Sequence, residues 1–146
     1  MSLSNAAETE ILDLLFNNGN YANIGDATGL RGSTTAGSFY ISLHTGDPGE
    51  AGSQSTNETT VGGYARVAVA RSAAGFTVSG NTVTNTAAVT FPQVTSGSAT
   101  LTHFAIGTDA SGAGNLVLSG ALTSSLAVSS GITPSFAIGQ LTVTAD

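Results

Sequence analysis

Phe76-Thr77-Val78-Ser79-Gly80-Asn81-Thr82-Val83-Thr84 carries the pattern on which the reading of the fold turns. Apolar and hydroxyl side chains alternate on either side of Gly80-Asn81, which is the period-two spacing of strands buried on one face. A two-residue, glycine-containing link between such runs predicts a tight hairpin, because the turns that match strand twist need positive φ. Outward from this hairpin the alternation returns in Val67/Val69 against Ala68/Ala70 and in Leu141/Val143 against Thr142/Thr144. Strands are expected at 39–43, 64–71, 75–79, 82–84, 88–91, 99–106, 115–119, 126–128, 135–138 and 141–144, separated by Gly, Ser and Asn turns. Short strands at this spacing predict an all-β fold, a sandwich or jelly roll of about 8–10 strands with Greek-key connections.

The chain begins differently. Residues 1–18 read as one short N-terminal α-helix. Ala7, Ile11, Leu14 and Leu15 share a face that Leu12 and Phe16 widen, and Asn5 is placed to cap it with Glu8 in the capping-box position. Asn17-Asn18-Gly19 supplies a left-handed stop. The helix is expected to pack over one end of a sheet, with projection onto a neighbouring subunit as the alternative. Residues 19–37, rich in Gly, Asn, Thr and Ser, read as a long loop or arm, and residues 38–146 as the β-sandwich, one domain overall. Removing residues 1–37 is accordingly expected to leave a folded core.

Composition narrows the function. The 146 residues include no cysteine, no tryptophan and no lysine, and three arginines stand against nine carboxylates for a net charge of −6. Disulfides and thiolate-bound metals are excluded, and clustered positive charge for neutralising phosphates is absent, so neither nucleic acid nor a membrane surface is an expected partner. No secretory signal and no apolar run of the ~18 residues needed to span a bilayer is read. A folded monomer of this mass exposes roughly 6,800 Å². Twelve charged residues cover little of that, so the surface must be made of small polar side chains or be partly hidden in an assembly.

Chemistry-bearing constellations are few. His44 and His103 lie in or at the end of expected strands, with no G-x-S-x-G elbow and no cysteine nucleophile, so no catalytic residue is assigned. The polar run after the first strand holds His44, Asp47 and Glu50, a weak candidate set for a divalent metal. Gly46-Asp47-Pro48-Gly49 is more simply a turn, with φ set by Pro48 and a positive φ allowed at Gly49. The glycine-rich 107–114 run lacks the Lys-Ser/Thr ending of a phosphate loop and reads as a hairpin connection. Asp47, Glu50, Glu58 and Asp109 could supply a glycosidase carboxylate pair only from loops without a tryptophan platform. No cofactor is expected. Arg66 and Arg71, at either end of RVAVAR, point to opposite faces and are expected to pair with Asp47, Glu50 or Glu58. Of the three trypsin sites, Arg31 in the arm is expected to be cut first.

Together AAETEILDLLF, FYISLHTGDPGEAG, GGYARVAVARS, FTVSGNTVTN and THFAIGTDASGAGNLVLSGAL resemble a family of small tailed-bacteriophage virion proteins often labelled tail-fibre-like. LHTGDPGEAG and GGYARVAV are the most specific parts. The resemblance implies a non-enzymatic virion structural component, assembled in the host cytoplasm, and carries over no catalytic residue. Small size, the absence of a repetitive shaft and few aromatic residues favour a capsid decoration (cement) protein bound to the major capsid protein or other virion subunits, as a homo-oligomer or part of a larger assembly. A tail-fibre or tail-associated role in host recognition is the alternative, and a carbohydrate-binding module the third reading. Partner contacts are expected from Leu12, Leu15, Phe16, Tyr21, Arg31, His44, Asp47 and Glu50.

Overall fold

The computed structural model describes residues 2–145. It is mostly β, with several antiparallel sheets and one short N-terminal helix, consistent with the expected all-β sandwich class. The elements are α1 (Asn5–Phe16), β1 (Ser38–His44), β2 (Val67–Ala70), β3 (Phe76–Ser79), β4 (Thr82–Asn85), β5 (Val89–Thr90), β6 (Ser98–Gly107), β7 (Leu116–Ser129), β8 (Ser135–Phe136) and β9 (Thr142–Thr144). Sheet orders are β2-β1-β6-β7, β3-β4-β9 and β5-β8. The chain forms two compact units, one of Met1–Ser38, Val69–Val89 and Phe136–Asp146, the other of Phe39–Ala68 and Thr90–Ser135.

In the first unit the hairpin forms as its alternation predicts. Ser79 pairs with Thr82 across Gly80-Asn81, and β9 adds to the far edge of β4. Gly80 sits at φ 59°, a conformation that costs a residue without Cβ nothing. The helix packs on β3 and β4. Phe16 is fully buried, its ring 5.0 Å from that of Phe76 in an edge-on contact, and Leu12, Val83 and Leu141 close the core. The helix contributes two of these side chains, Leu12 and Phe16, and burying two such side chains is worth several kcal/mol. Its cap differs from expectation. Ser4, in extended conformation, accepts from the Ala7 N–H, because the helical conformation already includes Asn5 and leaves Glu8 one position too far on for a capping box. At the other end the left-handed stop expected of Asn17-Asn18-Gly19 forms at Asn18, at φ 58°.

The segment expected as a structureless loop is closed on itself. Tyr21 and Leu30 exchange two backbone hydrogen bonds of 2.8 and 2.9 Å, and the Asn18 side chain ties both the N–H and the carbonyl of Ser33. Polarity there serves the backbone: Asn and Asp side chains satisfy groups that no neighbouring strand reaches.

In the second unit β6 is central, antiparallel to β1 (Ile41↔Ile106) and to β7 (Ile106↔Leu118). Ile41, Ser42, Leu43 and His44 are all buried, so both faces of β1 are covered there. Phe39, Phe91, Val94, Leu101, Ala105, Ile106 and Val128 complete the core. Two expected strands, 115–119 and 126–128, are one strand in the structure. Leu101 faces Leu126 while His103 faces Ala121, so residues 122–125 bulge opposite Thr102 without breaking the ladder. The Thr123-Ser124-Ser125 stretch reads as a turn only because a bulge and a turn share small polar residues.

Candidate functional site

After β1 ends at His44 the chain makes a long excursion, residues 45–66, before β2 begins. Its polar groups converge within the second unit. Arg66 grips Glu58 in a two-pronged pair, Nε to Oε1 and Nη2 to Oε2, both 2.7 Å. The same guanidinium donates to the carbonyls of Asp109 and Gly112, at 2.8 and 2.7 Å, and so fixes the 108–115 connection between β6 and β7. The Arg66 and Glu58 side chains are 2% and 16% exposed, which makes this an ion pair largely withdrawn from water. The hydrogen bond to Glu58 raises the Arg66 pKa above its ordinary value, against the effect of burial. Tyr64 donates its hydroxyl proton to Glu58 Oε1 (2.9 Å) and accepts from the Leu43 N–H (3.0 Å), while its ring stacks on Phe91. Burial pushes the Tyr64 hydroxyl pKa well up, so it stays protonated.

Gln54 is the second fastening point. It is fully buried, donates through Nε2 to the Tyr40 carbonyl (3.3 Å) and accepts at Oε1 from the Asp109 N–H (3.0 Å). Its own N–H bonds the Ala113 carbonyl. The glycines of the 107–114 run follow from this packing. A Cβ on Gly107 would lie 2.0 Å from the Gln54 Cδ, and one on Gly114 2.3 Å from Oε1. The glycines make room for a buried amide.

His44 is fully buried. Its Nδ1 lies 2.9 Å from the Thr56 carbonyl, which can only accept, so Nδ1 carries the proton and Nε2 accepts from the Ser42 hydroxyl at 2.8 Å. Burial lowers the pKa of His44, partly offset by the Thr56 carbonyl and by Glu58. Glu58, Thr59, Tyr64, Ala65, Arg66 and residues 110–112 line a surface depression of about 260 Å³. The ionic and imidazole groups in and behind it already bond one another or the backbone. The Thr59 hydroxyl is buried without a partner among the described residues. The arrangement is suited to holding loops still.

The expected site residues are dispersed. Leu12, Phe16 and His44, read as partner contacts, are spent on the chain's own cores, because a side chain that fills a core offers nothing to a neighbour. Leu15, Arg31, Asp47 and Glu50 are exposed and Tyr21 is half-buried. His44, Asp47 and Glu50 do not come together as a metal-ligand set, and no group of three such side chains does so among the described residues. Asp47 caps its own turn, accepting from the Gly49 N–H, and Gly49 has the positive φ expected of it. Arg66 finds Glu58, one of its three expected partners. Arg71 donates to the carbonyls of Leu14, Leu15 and Ala36 and to the Ser33 hydroxyl. Gln54 and Tyr64 escaped the sequence reading. A lone Gln in a polar loop has no spacing signature, although the glycines at 107 and 114 marked the close approach.

No helix among the described residues is long and apolar enough to cross a membrane. A family model described as Podophage GP4 fiber I protein gp80 matches residues 2–144. No curated protein matches the chain.

Proposed function

We propose, for a chain that belongs to the Podophage GP4 fiber I protein gp80 family and is thereby a phage virion structural protein, that it is a non-enzymatic component of the tail fibre. The fibre description of the family carries this reading and weighs against capsid cement, the role favoured by small size and the lack of a shaft. The geometry supports it in a limited way. Arg66, Glu58, Gln54 and His44 are consumed in fastening the 45–66 excursion and the 108–115 connection. Rigid loops on a β scaffold suit contact with another molecule, since less conformational freedom is lost on binding. Other virion subunits are the proposed partners, and assembly takes place in the host cytoplasm.

Labelling the protein on intact particles separates the two roles. Signal at the tail with reduced adsorption when the protein is missing is the expected result. Signal over the head, with heads that lose integrity when the protein is missing, would return the chain to capsid decoration. Glycan binding by the isolated chain would favour the carbohydrate-binding reading.

A further inference from the structure

Leu116–Ala121, the first part of β7, forms the outer segment of the β2-β1-β6-β7 sheet. One of its edges pairs with β6, from Leu116↔Gly107 to Ala121↔His103. Among the described residues no backbone hydrogen bond outside the sheet involves these six residues. Proteins ordinarily shield such an edge with lysine, proline, an inward charge or very short length. Leu116-Val117-Leu118-Ser119-Gly120-Ala121 has neither proline nor charge, and six residues is an ordinary strand length. The 122–125 bulge ends the straight segment.

The charge distribution indicates what can approach. From Ser72 onward the only Asp, Glu, Lys or Arg residues are Asp109 and Asp146, so −4 of the −6 net charge belongs to residues before Ser72 and no charged residue falls within Leu116–Ala121. Two copies of an acidic chain meet at least electrostatic cost where neither presents a carboxylate. An antiparallel strand edge is also its own complement under a two-fold axis, because each copy offers the same alternation of outward N–H and C=O groups. Six residues paired in this way form about six hydrogen bonds. A second copy, available wherever the first is assembled, supplies the matching edge without another protein having to leave one exposed.

We propose that Leu116–Ala121 pairs antiparallel with the same segment of a second copy of this chain across a two-fold axis, extending the sheet from one copy into the next. This holds for either position on the particle.

Sedimentation equilibrium on the full chain tests it. A concentration-dependent dimer is expected. Ser119→Lys, at an exposed position on the edge, brings like charges together across the axis and should weaken the dimer tenfold or more, whereas Ser79→Lys, at an exposed position at the end of β3, should leave it unchanged. In the unmodified chain, amide exchange within 116–121 should slow as concentration rises through the dimer range, and this measurement stands even if Ser119→Lys fails to fold. A chain that stays monomeric at its highest soluble concentration, a dimer indifferent to Ser119→Lys, a three-membered ring, which two-fold edge pairing cannot close, or exchange at 116–121 that ignores concentration would each overturn it.

Discussion

Arg66 and Arg71 stand just outside the two ends of β2 and serve different units by different means. Arg66 meets a carboxylate, and its charge is balanced by Glu58 in surroundings with little water. Arg71 meets main-chain oxygens of its own unit. Leu14 and Leu15 contribute two of the carbonyls that the last turn of α1 leaves without helical partners, and that turn has no basic residue of its own. Arg71 thus supplies from a distant part of the sequence the positive charge that a helix C-terminus favours. An arginine can fasten a loop through one ion pair or through several carbonyls, but the two leave different debris when broken. Loss of Arg66 strands a partly buried carboxylate, whereas loss of Arg71 removes a donor from neutral carbonyls, one exposed and two part-buried.

The largest expected effect is therefore at Arg66. Arg66→Ala should destabilise the protein by about 3 kcal/mol, read from urea unfolding, because Glu58 is left uncompensated. Adding Glu58→Gln should recover part of that loss, and a double variant no better than the single would show that the carboxylate is not the source. Arg71→Ala should cost less, about 1–2 kcal/mol, on the scale of helix-end charge and a few lost hydrogen bonds. Equal losses at the two sites would break the distinction drawn between them. The smallest effect is in pH. His44 lies beside the Arg66 cluster and has a pKa lowered by burial, so the unfolded chain takes up its proton more readily than the folded one. That contribution to stability is complete above about pH 6.5, the unfolded value, and is lost as pH falls through the lower folded value. Unfolding midpoints between pH 8 and pH 5, of the order at which histidine titrates, should fall in the wild type and in Arg71→Ala, and flatten in His44→Gln.

Local features were the most readable. Gly80-Asn81, the Asp47-Pro48-Gly49 turn and the alternation of β2 depend on residues within a few positions of one another, and each formed as expected. The helix was readable in type but not in cap, because Ser4 and Asn5 are both good capping residues and only the backbone chooses between them. At the polar cluster the sequence narrowed the partner of Arg66 to three carboxylates. It could not find the partners of Arg71, since carbonyl oxygens are present at every residue and carry no mark. Gln54 was invisible for a related reason. A buried amide is specified by the backbone groups that surround it, here at Tyr40 and Asp109.

Taken alone, the sequence determined the all-β class, the N-terminal helix and a lysine-free, sparsely charged composition, because periodicity and composition act through each residue and its near neighbours. Tertiary structure alone decided that Phe16 belongs to a core, that His44 is enclosed by Ser42 and Thr56, and that the glycine-rich connection is moulded around Gln54. Those outcomes depend on which distant segments share a space, and burial and hydrogen-bond satisfaction are properties of that shared space.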